Sequence, residues 1–452
     1  MIFGTDGVRD IGGKGLLSAD SVDRLGSAIT SHMAREGCDA GRVLIARDTR
    51  LTGPEIEEII TGALHRAGCS TLHAGVLPTP AVSVLLAQGV ADLGIVISAS
   101  HNPPEFNGIK LIAPDGSKLT VEQEKEISAD YAAQVGCPSR QDGIDDDPSL
   151  GDRYLDSLMG SFPPGGFLQG LSLVLDCARG AGCGWAPEAF RRAGAEVTEL
   201  HAKPDGARIN VGCGSLNPEI LGQEVVRTGA NLGIALDGDA DRALLVDEAG
   251  GLVDGDDVIV IWAEALLERG DLEPAVVALT TLSNGGVEQY LRRNGIEVIR
   301  TEVGDRAVAV ALRESGGLLG GEPSGHIIYH GEAATGDGIR TGLSIAQRIQ
   351  ETGRTLSDLR SGIVRFPQEQ RALKIIARPP IEELEHLPSA MEEAEQALLE
   401  GGGRILVRYS GTELLLRILV EARTAEEVRR WGDHIENSAR MESMLGIDPR
   451  VS

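Results

Sequence analysis

The sequence predicts an α/β protein in which three related α/β/α domains, with mixed and largely parallel sheets, precede one smaller α+β domain. Three observations lead to this prediction. The chain has 452 residues, too many for one hydrophobic core, since single domains usually contain roughly 100 to 150 residues. A short apolar strand, a polar turn with glycine and an amphipathic helix recur three times in that order. Beyond the third copy, the order of the elements changes.

The three copies of this unit begin with the predicted strands 42–46, 173–175 and 275–279. The polar turns that follow them cover residues 48–54, 176–184 and 283–286. Strands that alternate with helices form layered sheets with mainly parallel strands, so each copy predicts one α/β/α domain. Ligands of such sheets bind at the carboxyl ends of the strands, and we expect the functional loops there.

Three polar segments predict the domain boundaries. The first, 137–148, combines proline, glycine and several aspartates, and the second contains Asp254, which would also cap the helix that follows. The third covers 361–370. The predicted domains are 1–150, 151–253, 254–363 and 364–452. The last of them comprises a strand at 372–377, a helix at 392–400, two strands within 404–421 and a helix from Ala425. This βαββα order is typical of a small α+β domain.

The composition excludes several classes of protein. Hydrophobic residues make up 42% of the chain and charged residues 24%, which is ordinary for a globular protein. A net charge of −26 and only 3% aromatic residues argue against a nucleic-acid partner. The six cysteines form no Cys-x-x-Cys pair, which indicates reduced thiols. The chain shows no signal peptide and no apolar run of about 20 residues, so we expect no membrane partner and a cytoplasmic location.

The segment Ser98–Pro103, called here the nucleophile loop, directly follows the apolar run 93–97. A strand that ends in a polar loop with serine next to histidine presents a hydroxyl group where chemistry can reach it. The Asn-Pro-Pro sequence that begins at Asn102 cannot continue a strand or a helix, so the loop stays a loop. We therefore predict a serine nucleophile here, if other segments supply activation and positive charge.

Three aspartates at alternate positions, Asp237, Asp239 and Asp241, follow the apolar run 232–236. Carboxylates in this arrangement can converge on one hard cation. A calcium-binding EF-hand is excluded, because Arg242 replaces its turn glycine and a strand-like run precedes the loop instead of a helix. With so few protein ligands, the pattern favours Mg²⁺ whose shell is completed by a phosphate oxygen. The alternative is a solvated acidic turn.

Two further segments carry weaker signals. Glu322, Ser324 and His326 are spaced two apart in a glycine-bounded loop and could bind a polyhydroxylated ligand, although a turn with a surface histidine explains them equally well. After a predicted strand, the segment from Arg408 to Glu413 offers an arginine fork, hydroxyl groups and backbone N–H groups, which indicates a phosphate site. An ordinary hairpin turn is the alternative.

Together, these segments resemble the α-D-phosphohexomutase superfamily over nearly the whole chain. Segment 98–103 resembles its phosphoserine loop, 237–242 its metal loop, 322–326 its sugar-specificity loop and 408–413 its phosphate loop, and the opening 3–9 also matches. Further stretches are similar to the phosphoglucosamine mutase branch, namely 77–82, 213–215, 303–306 and 335–338. The chain departs from the usual pattern at Pro323, at Leu414 and at the pair 216–217.

The resemblance implies that Ser100, as a phosphoserine, gives its phosphoryl group to a hexose monophosphate. The resulting 1,6-bisphosphate reorients and returns its other phosphate to Ser100. The implied reaction interconverts glucosamine 6-phosphate and glucosamine 1-phosphate, and the alternative is a phosphomannomutase/phosphoglucomutase with the same mechanism. One Mg²⁺ per chain is implied, with hexosamine 1,6-bisphosphate as intermediate and activator. A phosphatase that releases phosphate to water and a non-catalytic sugar-phosphate sensor are alternatives of other classes.

The resemblance also implies roles for individual residues. The implied catalytic residues are Ser100, His101, Lys110 and Arg9, with acid–base roles for Lys110 and His101 and added positive charge from Arg9 and Arg242. The implied metal ligands are Ser100, Asp237, Asp239 and Asp241. The implied substrate-binding residues are Arg242, Glu322, Ser324, His326, Arg408, Ser410, Gly411, Thr412 and Arg417. These residues come from all four predicted domains, which would therefore surround a central cleft. The expected partner is a small sugar phosphate, and the chain is expected to be a monomer or a homodimer.

Overall fold

The computed structural model describes residues 1–4, 6–134, 136, 144, 146–410 and 414–447. The chain divides into two compact units. Unit 1 contains Met1–Thr280 and Ile299–Ser361, and unit 2 contains Thr281–Val298 and Gly362–Ser452. Most of the predicted linker at 137–148 lies outside the described residues.

The first sheet of unit 1 has five strands in the order β1-β5-β4-β2-β3. Its strands are β1 (Val8–Ile11), β2 (Arg42–Arg47), β3 (Ser70–Val76), β4 (Leu93–Ile97) and β5 (Phe106–Ile112). The helices of this part are α1 (Ala19–Arg35), α2 (Gly53–Arg66), α3 (Thr79–Ala87) and α4 (Val121–Ala133). Strand β2 runs parallel to β3 and β4, whereas β5 runs antiparallel to β4 and β1, so the sheet is mixed.

The second sheet has the order β10-β9-β8-β6-β7. Its strands are β6 (Ser172–Asp176), β7 (Glu196–Leu200), β8 (Leu232–Leu236), β9 (Ala243–Asp247) and β10 (Leu252–Val253). The accompanying helices are α5 (Ser149–Gly160), α6 (Trp185–Arg192) and α7 (Pro218–Thr228). All residues of β4 and of β8 are buried, as expected for central strands covered on both faces. Both strands end in the polar loops that the sequence singled out.

The third sheet has the order β12-β11-β13-β14. Its strands are β11 (Val276–Thr280), β12 (Glu297–Thr301), β13 (Leu319–Gly321) and β14 (Ile327–Tyr329). The helices in this stretch are α8 (Gly255–Arg269), α9 (Gly285–Arg293), α10 (Asp305–Ser315), α11 (Gly338–Thr352) and α12 (Leu356–Arg360). The Asp254 side chain accepts hydrogen bonds from the backbone N–H groups of Asp256 and Asp257, which confirms its predicted capping role.

Unit 2 contains α9 and an antiparallel sheet in the order β15-β17-β16. The remaining elements are β15 (Gln368–Lys374), α13 (Leu387–Leu399), β16 (Arg404–Tyr409), β17 (Leu415–Glu421) and α14 (Ala425–Met441). Helix α13 begins five residues before the predicted start, because Pro388 in its first turn is compatible with a helix N-terminus. Helix α14 begins at Ala425 as predicted, behind a capping box of Thr424 and Glu427.

The predicted class is therefore confirmed: mixed sheets with helices in the first three parts, and an α+β arrangement at the C-terminal end. In the described part of the chain, no helix has both the length and the apolar character that crossing a membrane requires.

Candidate active site

The nucleophile loop places Ser100 in a constrained and almost fully buried position. Its backbone φ is +50°, in the left-handed region that residues other than glycine rarely adopt. The Ser100 hydroxyl donates to Asp237 Oδ2 at 2.7 Å and lies 3.2 Å from His101 Nδ1. Only 1% of Ser100 is exposed. Ser100, which the sequence predicts as the nucleophile, thus lies directly beside Asp237, the first aspartate of segment 237–242, called here the acidic loop.

The acidic loop follows β8 and brings three buried carboxylates together. One ligand atom from each of Asp237, Asp239 and Asp241 lies within 4.8 Å of the others. The two loops touch closely at Gly238, where a Cβ atom would lie 2.5 Å from the carbonyl oxygen of Ser100. Only glycine fits this approach, so the Asp-Gly-Asp sequence lets the loop of carboxylates pack directly against Ser100.

The electrostatics of this cluster fit a divalent cation. Burial, together with the charges of Asp241 and Asp239, raises the pKa of Asp237 well above its usual value. Within the described chain, Asp239 Oδ1 and Asp241 Oδ1 are buried without a hydrogen-bond partner. Carboxylate oxygens are the ligands that hard cations prefer. The three aspartates therefore have the charge and the free ligand atoms that a metal ion would satisfy.

A second group of potential ligands, Asp176, His201 and Cys213, differs from this triad. Asp176 Oδ2 already accepts hydrogen bonds from His201 Nδ1 at 3.0 Å and from the backbone N–H of Gly214 at 2.9 Å. Arg179 Nη1 lies 3.0 Å from Cys213 Sγ. Because Asp176 Oδ2 already accepts two hydrogen bonds and the positively charged Arg179 lies beside Cys213, this group fits a structural hydrogen-bond network better than a metal site.

Lys110 on β5 neutralises much of the acidic cluster. Its Nζ lies 2.7 Å from Asp239, 3.0 Å from Asp6 and 3.3 Å from Asp241. Burial alone would lower the pKa of Lys110, but the three carboxylates raise it well above its usual value. The ammonium group is therefore a buried permanent charge within the acidic cluster.

Three other sequence-predicted residues lie around the same point. Arg9 on β1 donates to Asn102 Oδ1 at 3.2 Å and pairs with Asp6. The backbone N–H of Arg242 donates to Asp237 Oδ1 at 3.2 Å. Burial, with the charges of Arg242 and Arg9, lowers the pKa of His101 to about 4, so its imidazole is neutral at neutral pH.

The sugar-loop residues divide into two groups. Glu322 Oε1 accepts from the backbone N–H of Gly304 at 3.1 Å, and Ser324 Oγ lies 3.4 Å from Glu322 Oε2. His326 is only 2% exposed: its Nδ1 lies 3.6 Å from Asp241, and its Nε2 accepts from the N–H of Gly336. The His326 ring thus contacts the acidic cluster, whereas Glu322 and Ser324 contact each other.

Sequence reasoning assigned no role to Asp6 or Lys118 and considered Asp305 only for the amino-sugar end of a substrate; the three residues form an ion-pair chain here. Lys118 Nζ lies 2.5 Å from Asp6 Oδ1 and also pairs with Asp305. Asp305 Oδ2 is 3.5 Å from His326 Nε2. Asp6 and Asp305 lie in two of the matching motifs, 3–9 and 303–306. Neither motif indicates that Lys118, which is 112 residues from Asp6 in the sequence, connects the two aspartates.

Within unit 2, the predicted phosphate-binding arginines lie side by side. Arg408 on β16 and Arg417 on β17 are register partners across the antiparallel pair. Both line a cavity of about 120 Å³, together with Arg371 and Gln370. The backbone N–H of the buried Ser410 donates to Leu415 O at 2.9 Å. Gly411 and Thr412 lie outside the described residues.

Comparison with known families agrees with this architecture. The phosphoglucomutase/phosphomannomutase profiles match in four parts: alpha/beta/alpha domain I at 1–135, domain II at 153–251, domain III at 254–366 and the C-terminal domain at 364–438. The chain therefore belongs to the phosphoglucomutase/phosphomannomutase family. This confirms the predicted enzyme class, an isomerase of the phosphohexomutase type.

Similar curated proteins cover nearly the whole chain. A phosphoglucosamine mutase of Parafrankia is 41% identical and covers 97% of this chain and 99% of its own. A phosphoglucosamine mutase of Saccharopolyspora erythraea is 43% identical, with coverages of 95% and 96%. The crystal structure of a phosphoglucomutase/phosphomannomutase family protein from Burkholderia thailandensis superposes with a TM-score of 0.78 at 25% identity, covering 97% of both chains. A putative phosphomannomutase from Thermus thermophilus shares the fold, with a TM-score of 0.80 at 22% identity and coverages of 97% and 98%.

Proposed function

We propose that this chain is a phosphoglucosamine mutase, which interconverts glucosamine 6-phosphate and glucosamine 1-phosphate through a phosphoserine and a 1,6-bisphosphate. The observation that carries the phosphotransfer chemistry is the 2.7 Å contact between the Ser100 hydroxyl and Asp237, inside a buried cluster of three aspartates. The names of relatives that are 40–43% identical over nearly the full chain support the amino sugar.

In this proposal, Ser100, Asp237, Asp239 and Asp241 hold one Mg²⁺. When bound there, the ion supplies positive charge that stabilises the negative charge of a transferring phosphoryl group. The buried Oδ1 atoms of Asp239 and Asp241 have no hydrogen-bond partner among the described residues, and the neighbouring carboxylates raise the pKa of Asp237. Both observations support this assignment, because three carboxylates lie beside the single ammonium group of Lys110 and a divalent cation would balance the remaining negative charge.

The chain's own cations take the remaining electrostatic role. Phosphoryl transfer depends mainly on positioning and on stabilising charge that spreads over the phosphate oxygens. We assign that charge to Lys110, Arg9 and Arg242, of which Lys110 stays protonated because of its raised pKa. His101 is neutral and lies 3.2 Å from the Ser100 hydroxyl, so it can accept the proton that leaves a hydroxyl group there.

Substrate binding falls to two sets of residues. Glu322 and Ser324 present a carboxylate and a hydroxyl group that can bind sugar hydroxyls, and we assign His326, which is buried beside Asp241, to supporting the acidic loop and the sugar loop together. The phosphate that is not reacting is assigned to Arg408, Ser410, Gly411, Thr412 and Arg417. Arginine suits this task because its planar fork can bind two phosphate oxygens at once.

A coupled assay with four substrates tests the proposal. Purified protein with Mg²⁺ and a trace of hexose 1,6-bisphosphate is given the 6-phosphates of glucosamine, N-acetylglucosamine, glucose and mannose. We expect the highest kcat/KM for glucosamine 6-phosphate. A preference for mannose or glucose phosphate would favour the phosphomannomutase/phosphoglucomutase alternative. Release of phosphate without isomerisation would indicate a phosphatase.

The cell compartment and the assembly belong to the same proposal. We infer a cytoplasmic enzyme with a small sugar phosphate as its partner, and either a monomer or a homodimer. The free thiols of the described cysteines Cys38, Cys69, Cys177, Cys183 and Cys213 support a reducing compartment. Light scattering after gel filtration would distinguish the two assemblies, and a larger mass would contradict both.

A further inference from the structure

The backbone of the nucleophile loop is held in a conformation that it would not adopt alone. Ser100 has a φ of +50°, which is unfavourable for a residue with a side chain. Such a conformation persists only where the surroundings impose it, and it is frequent at functional sites. The contacts of the Ser100 peptide groups show which residues impose it here.

Arg50 makes most of these contacts. Its side chain is completely buried, and Nη2 donates to the carbonyl oxygens of Ser100 and Asn102 at 2.9 and 2.8 Å. Nη1 donates to the carbonyl oxygens of Pro103 and Phe106 at 2.5 and 2.8 Å. The rest of the guanidinium group, Nε, donates to Asp48 Oδ2 at 2.9 Å. One buried arginine therefore binds four carbonyl oxygens within and just after the nucleophile loop.

Asn210 reaches the same carbonyl groups from the second α/β/α part of unit 1. Its Nδ2 donates to Ser100 O at 2.9 Å and to Asn102 O at 3.2 Å. Asn210 is 6% exposed and itself has a φ of +63°. Its own backbone N–H donates to Ala178 O at 3.1 Å. The asparagine is thus fixed on one part of the unit while its amide holds a loop that belongs to another.

The amide side of Ser100 is held as well. Its backbone N–H donates to Ser98 Oγ at 2.9 Å, and that hydroxyl donates to Asp48 Oδ2 at 2.7 Å. Asp48 also binds Arg50, so the N–H and the carbonyl group of Ser100 are connected through one buried network. The Oγ of Ser100 lies outside this network and donates to Asp237.

We propose that Arg50 and Asn210 are positioning residues that hold the Ser100 backbone in its left-handed conformation and so direct its Oγ toward the acidic triad. Neither side chain contacts the Ser100 Oγ or the triad carboxylates in the described hydrogen bonds, so both act through the loop backbone. This inference rests on the proposed function, in which Ser100 carries the phosphoryl group. The carbonyl oxygen of Ser100 is bound by Arg50 and its N–H by Ser98. The side-chain hydroxyl is the polar group of Ser100 that contacts the triad.

Steady-state kinetics of matched variants test this inference. We expect Arg50→Ala to lower kcat about 100-fold and Asn210→Ala about 10-fold, with KM changed by less than about threefold, since small displacements of a reacting group mainly reduce kcat. Arg50→Lys keeps the charge but lacks the fork, so its kcat should fall between that of Arg50→Ala and the wild type. Arg47→Ala is the matched control: this nearby arginine pairs with Glu57 and Asp146 and makes none of the described hydrogen bonds to the nucleophile loop, so its loss should change kcat less than about twofold.

Two further readouts separate positioning from loss of structure. In single-turnover reactions with glucose 1,6-bisphosphate, unphosphorylated Ser100 gains one phosphate. The rate of this step should fall in Arg50→Ala and Asn210→Ala by the same factor as kcat. Millimolar guanidinium should raise the kcat of Arg50→Ala about 10-fold, whereas it should not change the kcat of Arg47→Ala. At millimolar concentration guanidinium does not denature proteins, so a gain in kcat would report that it replaces the missing side chain beside the loop carbonyl groups.

The outcomes are distinct. Wild-type kcat in folded Arg50→Ala and Asn210→Ala, or losses confined to KM, would overturn the inference. If Arg50→Ala does not fold, the nearly isosteric Asn210→Asp decides, because it removes the donor without leaving a cavity: a kcat equal to that of the wild type contradicts the inference. A wild-type protein that isomerises no hexose phosphate would instead contradict the proposed function.

Discussion

Two regions of the molecule carry the charges expected to act on phosphate, and they are built differently. In unit 1, Ser100, Lys110 and the three aspartates are each at most 3% exposed and are connected by hydrogen bonds and ion pairs. In unit 2, Arg408 is half-buried and Arg417 is exposed on a small sheet. Charges that stabilise a transfer must be fixed beforehand in a site without water. Charges that only bind a phosphate can stay hydrated until it arrives.

This comparison predicts the largest effect for Ser100→Ala, which removes the group at the centre of the fixed site. Activity should fall to background, a loss of at least about 10⁴-fold, because the variant lacks the hydroxyl group that lies against the acidic triad and carries the phosphoryl group in our proposal. After incubation with glucose 1,6-bisphosphate, the intact mass should show one added phosphate in the wild type and none in the variant. Ser98→Ala is the control and should still gain the phosphate. A phosphate that persists in Ser100→Ala would place the nucleophile elsewhere.

Metal removal should produce the next largest effect. Chelation with EDTA should lower kcat about 10³-fold or more, since the buried carboxylates then repel the phosphate that the ion would neutralise. Added Mg²⁺ should restore the wild type. Asp239→Asn, which alters one of the two unpartnered oxygens, should show a similar loss that Mg²⁺ does not restore. Full activity in EDTA would contradict the metal assignment. It would also mean that the charges of unit 1 act on phosphate without a bound metal ion, as those of unit 2 are expected to do.

The fold of unit 1 could be predicted largely from the sequence, since apolar runs such as 93–97 and 232–236 end abruptly in polar loops. In unit 2 the order of the elements was predicted, but the first strand, predicted at 372–377, lies at Gln368–Lys374. Short-range patterns also predicted the cap at Asp254 and the start of α14. The start of α13 was predicted too late, because the acidic stretch dominated the pattern while the helix begins at the apolar residue Leu387.

The connections between distant segments could not be predicted in this way. Arg50 stood within a turn motif that predicted only a sheet–helix junction, yet its guanidinium binds carbonyl groups more than 50 residues away. The same holds for Lys118, which joins Asp6 to Asp305. Contacts of this kind depend on how distant segments pack within a domain or, for Lys118 and Asp305, between domains, and no local periodicity encodes them.

In unit 2, replacement of an arginine to which we assign phosphate binding should affect substrate binding more than the rate of transfer. For Arg417→Ala we expect KM to rise about 10- to 100-fold with kcat changed less than about fivefold, because a bidentate contact to a non-reacting phosphate stabilises substrate and transition state alike. Arg423→Ala is the control: this arginine follows the same strand and donates to Gly401 O, and its loss should leave KM unchanged. A large fall in kcat for Arg417→Ala would mean that unit 2 also contributes to the transfer step.

The smallest effect concerns the stability of unit 2 and its pH dependence. Glu442 accepts hydrogen bonds from the backbone N–H groups of Glu385, His386 and Leu387, at the N-terminus of α13. Burial alone would raise the pKa of Glu442, but these N–H groups and His386 lower it below its usual value. A carboxyl group whose pKa is lowered by folding stabilises the protein at neutral pH, and this contribution is lost as the pH falls through the folded pKa.

Glu442→Gln should therefore lower the free energy of unfolding of unit 2 by about 1 to 2 kcal/mol at pH 7, measured by urea denaturation. The difference between wild type and variant should shrink as the pH falls below the usual value of 4.5 toward the lowered folded pKa, because the wild-type carboxylate is then protonated. Glu400→Gln, at the C-terminal end of the same helix, is the control and should cost less than about 0.5 kcal/mol, since a negative charge there opposes the helix dipole. An equal loss for both variants, or a difference that does not change with pH, would show that the stabilisation arises from packing and not from the charge of Glu442.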